Sequence, residues 1–115
     1  MEKISDDNGI THFNKLVRDK IISIIENKGE KVNYEILDDD NYANELNRKL
    51  VEEVNEYIIG NNIEEIADIL EVIYAILKNR NIDINIIEEI RGKKKMARGG
   101  FENKIYLKNK RQNCT

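Results

Sequence analysis

Apolar residues recur along this chain mostly every third or fourth position, the spacing that puts them on one side of a helix. Val17, Ile21, Ile24 and Ile25 share one face, which predicts a first helix from about Asn14 to Lys28, stopped by Gly29. Between Lys31 and Leu37 the period changes to two, with Val32, Tyr34 and Ile36 alternating, and this short stretch reads as extended. Asp38 to Asp40 form an acidic start for a second helix, from about Asn41 to Ile59, that buries Ala43, Leu46, Leu50, Val54 and Tyr57. Gly60 is expected to end it. A third helix, capped by Asn61 or Asn62, continues to about Asn79, and a fourth runs from its cap at Asp83 to about Ala97, closed by Gly99 and Gly100. Phe101 to Leu107 can be extended. No proline interrupts these patterns. The expected fold is all-α: an antiparallel bundle of about four helices with minor extended segments. Residues 1–13 are expected to form a flexible N-terminal segment, 14–107 the helical domain and 108–115 a flexible polar tail.

The third helix changes the picture from fold to chemistry. Ile66, Ile69, Leu70, Ile73, Tyr74, Ile76 and Leu77 cover most of its circumference, so it should be central and buried on nearly every side. Glu65, Asp68 and Glu71 interrupt that surface along one narrow stripe. The simpler reading of the stripe is a solvent face. If buried, these carboxylates need a cation, a hydrogen-bond network or water, and the helix itself offers few lysines or arginines. On the second helix Glu53 and Glu56 are three residues apart and project together, while Glu52 points further away. A hairpin through Gly60 would set Glu53 and Glu56 opposite Glu65 and Asp68. Four carboxylates from two helices make a hard, oxygen-rich site suited to Mg²⁺, with Mn²⁺ or Ca²⁺ as substitutes and zinc disfavoured. A di-iron centre would call for Glu-x-x-His ligands, and His12 is the only histidine.

Composition narrows the alternatives. With 115 residues, 40% hydrophobic and 36% charged, the chain fits one small domain, for which a symmetric homo-oligomer, dimer or tetramer, is expected. A net charge of -3 argues against binding polymeric nucleic acid. Acids gather between Glu45 and Glu71, whereas Lys93 to Arg98 and Lys104 to Arg111 are basic, a polarity that suits a metal site beside phosphate-binding groups or simply two solvated surfaces. The only cysteine, Cys114, leaves no internal disulfide. Without an apolar leader or a membrane-length run, a cytoplasmic protein with no membrane partner is expected.

The segment Glu52-Glu53-Val54-Asn55-Glu56 followed by Glu65-Ile66-Ala67-Asp68 resembles the EExxE…ExxD signature of the MazG-like all-α nucleoside triphosphate pyrophosphohydrolases. The run from Asn14 to Ile21 (NKLVRDKI), the run from Glu65 to Leu77 and Arg98-Gly99-Gly100-Phe101 are similar to the small phosphoribosyl-ATP pyrophosphohydrolase-like branch. Relatives often carry a proline where Ile22-Ser23 stands here. The resemblance implies Mg²⁺ on Glu53, Glu56, Glu65 and Asp68, with Glu52 and Glu71 supporting the ligands or acting as bases. It also implies cleavage of a nucleotide substrate to monophosphate and pyrophosphate, with Lys15, Arg18, Lys20 and Arg98 touching phosphate or base. Glu53 or Glu56 would orient or deprotonate the attacking water. The alternative is a non-enzymatic helical module that binds nucleotide or metal and regulates.

Overall fold

A computed structural model describes residues 4–5 and 9–113 of the chain, without the side chains of Ile4 and Ser5. Cys114 and parts of both terminal segments therefore lie outside the described residues. The architecture is all-α. Four helices account for nearly all of the regular structure among the described residues: α1 (Ile21–Asn27), α2 (Asp39–Gly60), α3 (Ile63–Asn79) and α4 (Ile84–Arg98). They are preceded by two short antiparallel strands, β1 (Ile4–Ser5) and β2 (Thr11–His12), paired Ile4 to His12 and Ser5 to Thr11. The chain divides into two compact units, residues 1–82 and 83–115.

The helix starts follow local chemistry. Asp38 stays extended and its side chain accepts a hydrogen bond from the Asn41 amide at 2.8 Å, satisfying one of the free donors of the first turn of α2. Asn62 caps α3 through the Glu64 amide at 3.0 Å, and Asp83 caps α4 through the Asn85 amide at 2.8 Å. The end of α2 differs from the expectation that Gly60 would make the turn. Gly60 is still helical, and Asn61 takes the left-handed conformation at φ 50 and ψ 27. Asparagine tolerates that region better than other residues with a Cβ, so the reversal moves one residue on. Only Asn61 and Asn62 then separate α2 from α3, which makes the two long helices antiparallel neighbours.

α1 begins at Ile21 rather than near Asn14. Asn14 is left-handed at φ 47, which breaks a helix at the predicted start. The chain from residue 13 to 20 instead runs outside helical geometry, and its cations reach α2 and α3, as described below. The alternating stretch from Lys31 to Leu37 makes no strand, because no ladder partner is present for it among the described residues; Ile36 is 91% exposed.

Leu46 of α2 and Val72 and Leu77 of α3 are the buried apolar residues, with Ala43, Leu50, Val54, Tyr57, Ile69, Ile73 and Ile76 half-buried around them. The expectation that α3 is enclosed on nearly every side does not hold. Ile66, Leu70 and Tyr74 remain exposed, because α2 covers only one of its flanks. In the second unit, α4 carries Glu88–Arg91 and Glu89–Lys93 ion pairs at 2.6 and 3.1 Å. The Arg91 guanidinium holds the Glu88 carboxyl below its usual range by donating a hydrogen bond to it, and the same bond raises the Arg91 value. Gly99 follows with its amide bonded to the Lys95 carbonyl at 2.8 Å. Phe101, which a packing role would bury, is 97% exposed. No helix among the described residues is long and apolar enough to cross a membrane.

Candidate functional site

The turn at Asn61 and Asn62 fixes which residues can meet across the hairpin. Glu53 lies eight residues before Asn61 and Asp68 six after Asn62, about 12 and 9 Å along their helices from the turn at about 1.5 Å per residue. Glu56 and Glu65 lie nearer the turn, five residues before Asn61 and three after Asn62. Side chains three residues apart share a face, so each helix presents a pair. Glu53, Glu65 and Asp68 do converge: each offers a carboxylate oxygen within 4.8 Å of the others.

The three differ in how their charge is met. Glu53 is only 6% exposed. One of its oxygens pairs with Lys49 at 3.3 Å, one helical turn earlier, while its Oε2 is shut off from solvent without a hydrogen-bond partner. Asp68 receives a hydrogen bond from Arg18 Nη2 at 2.7 Å. Glu65 makes no ion pair among the described residues, and its Oε2 is likewise enclosed and unpartnered. Its pKa is pushed up to about 7, first by loss of water, then by a hydrogen bond with Glu53, and then by the negative charges of Glu56, Glu53 and Asp68. Two orphaned carboxylate oxygens facing like charges mark a place where positive charge is missing.

Glu56 is half-buried and stands at the edge of this group. It lines a depression on α2 with Phe13, Lys15, Glu52, Asn55 and Ile59. Glu52, read from the sequence as pointing away, is turned inward: Lys15 reaches it at 3.5 Å and Lys49 at 3.3 Å. Its Oε1 has no hydrogen-bond partner even so. Glu71 is exposed on α3, one turn beyond Asp68. Of the basic candidates, Lys15 and Arg18 meet carboxylates of α2 and α3 respectively, and Lys20 is exposed at the start of α1. Arg98 ends α4 in the other unit and is exposed.

Lys49 is the one contributor that the carboxylate pattern does not point to. Its signal is spacing alone, since a lysine three and four residues before Glu52 and Glu53 is placed to pair with both. Carboxylate oxygens from two helices that converge with enclosed oxygens lacking partners, beside a carboxyl whose pKa is pushed up to about 7, form a group that could hold a metal ion. No protein-family model matches the chain, and no curated protein or solved structure matches it.

Proposed function

We propose that this chain is a Mg²⁺-dependent nucleotide pyrophosphohydrolase that cleaves a nucleoside triphosphate or a related nucleotide to monophosphate and pyrophosphate, in keeping with nucleotide-pool housekeeping. The observation that carries the reading is the convergence of Glu53, Glu65 and Asp68 with enclosed, unpartnered oxygens on Glu53 and Glu65. The resemblance of the EExxE…ExxD blocks supports the same chemistry. Mn²⁺ would serve as a substitute.

Glu53, Glu65 and Asp68 would hold the cation, with Glu56 completing the set from α2. When bound, a divalent cation there supplies charge neutralisation of phosphate oxygens and acidifies water. Glu56, at the edge of the depression beside Lys15 and outside the three that converge, is one candidate to orient or take a proton from the attacking water. Glu53 is the other candidate for that role, but its one paired oxygen faces Lys49. Lys15 and Arg18 bring cationic side chains to the same end of the hairpin, where they offset the repulsion between carboxylates and a polyphosphate. Arg98 and Lys20 remain candidates for phosphate or base contact through the resemblance, and Glu52 and Glu71 for supporting the ligands.

The test is incubation with a panel of ribo- and deoxyribonucleoside triphosphates and Mg²⁺, with a chelator control and product identification. Monophosphate and pyrophosphate that vanish with chelator support the proposal. Release of inorganic phosphate alone, or no turnover on the panel, overturns it as stated.

The reading includes a homo-oligomer with the cluster on each copy, in a cytoplasmic setting. Ile59 at the end of α2 and Ile63 at the start of α3 are 85% and 77% exposed. Apolar surface of that kind around a helix hairpin suits a second copy of the chain. Sedimentation would show a dimer or tetramer, and a monomer at all concentrations would remove this part of the proposal.

A further inference from the structure

The segment between β2 and α1 is held at two points, one on each long helix: Lys15 to Glu52 of α2 and Arg18 to Asp68 of α3. The two anchors are unlike. Lys15 is enclosed, with 15% of its side chain exposed, whereas Arg18 is 57% exposed and touches the cluster from the solvent side. Asp68 is also one of the three carboxylates that converge, and the pairing leaves the enclosed Glu53 Oε2 and Glu65 Oε2 without partners. Arg18 therefore pairs with the outer member of the cluster and makes no direct contact with the two enclosed oxygens.

We propose that Arg18 is a place-holding cation that exchanges Asp68 for the phosphate chain of the substrate. Resting on the divalent-cation reading of the cluster, this adds an antagonism: Arg18 and a divalent cation are alternative partners for Asp68. An arginine suits the exchange because its planar fork binds carboxylate and phosphate in the same two-point manner, with no change in its own charge. Its exposed side chain lets it swing without unpacking the hairpin. Lys15, enclosed beside Glu52, keeps the segment attached meanwhile. Arg18 is thus a substrate-binding residue held in register by the carboxylate it later gives up.

The exchange predicts effects of opposite sign in one variant, which loss of structure would not produce. Mn²⁺ binding is followed by the electron paramagnetic resonance of the free ion, and inorganic pyrophosphate binding by calorimetry with Mn²⁺ present. Arg18→Gln binds Mn²⁺ about two- to fivefold more tightly, the range set by losing an exposed ion pair, and binds pyrophosphate more weakly. Lys28→Gln, which removes the same charge at the exposed far end of α1, leaves Mn²⁺ affinity within about twofold, as expected for a screened surface charge. Arg18→Lys lies between wild type and Arg18→Gln in both measurements. In the wild-type protein, trypsin cuts after Arg18 faster with Mn²⁺ alone than without it, and more slowly again with pyrophosphate added, a readout that needs no variant. Unchanged or weaker Mn²⁺ binding in Arg18→Gln, an equal effect in Lys28→Gln, or cleavage insensitive to Mn²⁺ overturns the exchange while the metal site stands. Failure of wild type to bind Mn²⁺ at all overturns the metal site and the exchange together.

Discussion

Two places six residues apart on one helix of the hairpin invert the usual sorting of side chains. Along α2, Glu53 is 6% exposed, while Ile59, less than two turns further on, is 85% exposed. Burying a carboxylate is costly and exposing an isoleucine forgoes a favourable burial, so neither placement is explained by folding of this hairpin alone. Glu53 and Glu65 each keep one enclosed oxygen without a partner, and Ile59 has little apolar surface covering it among the described residues. Each is a deficit of a different kind, one that a cation would meet and the other that apolar contact would meet.

The sharpest way to break the carboxylate side of that comparison is Asp68→Ala. If Asp68 is a metal ligand as proposed, its loss should lower Mg²⁺-dependent turnover by more than about 100-fold, since even groups that merely orient ligands cost about 10–100-fold. Circular dichroism should show the helices intact. Activity like wild type would end the assignment of Asp68.

On the apolar side, Leu46→Ala should cost about 2–5 kcal/mol in denaturant unfolding, as an enclosed leucine lost to a cavity. Ile59→Ala should stay within about 0.5 kcal/mol at concentrations where the protein is monomeric. A cost at Ile59 that grows with protein concentration would show a second copy covering it.

The turn that joins the two long helices gives a smaller effect. Asn61→Val must hold a β-branched residue at φ 50, at a cost of about 1–2 kcal/mol. A neutral result would mean that the reversal is set elsewhere.

The gentlest test is pH. Glu65 binds its proton more tightly folded than unfolded, because its pKa rises from 4.5 to about 7. Its contribution to stability is therefore fully present below about pH 4.5 and is lost as pH rises towards 7. The metal-free protein should lose stability across that window, gradually, since the residue is only half-buried. Glu65→Gln should flatten the slope. Mg²⁺ should reverse it, and Mg²⁺ affinity should fall as pH drops below about 7, where binding must displace the proton.

The helix starts were legible locally because capping is a matter of neighbouring atoms: Asp38, Asn62 and Asp83 each bond an amide two or three residues away. The meeting of Glu53 with Glu65 and Asp68 was legible too, because three-residue spacing and a short connection between helices limit what can face what, whereas Glu56 does not join that group. The early start assigned to α1 failed for the converse reason. Apolar spacing from Val17 onward suits a helix, but Asn14 is left-handed, and Lys15 and Arg18 find their partners 37 and 50 residues away.

By itself, then, the sequence determined that there are four helices, the caps of α2, α3 and α4, and the spacing that lets Glu53, Glu65 and Asp68 meet. Only the tertiary structure decided which charges were answered: Lys49 and Lys15 turn Glu52 inward, Arg18 covers Asp68, and Glu65 is left with none. The physical reason is range. Caps and periodicity are fixed within about one turn of chain, whereas the energy of a charge depends on how much water is removed from it and on every other charge brought within a few ångströms.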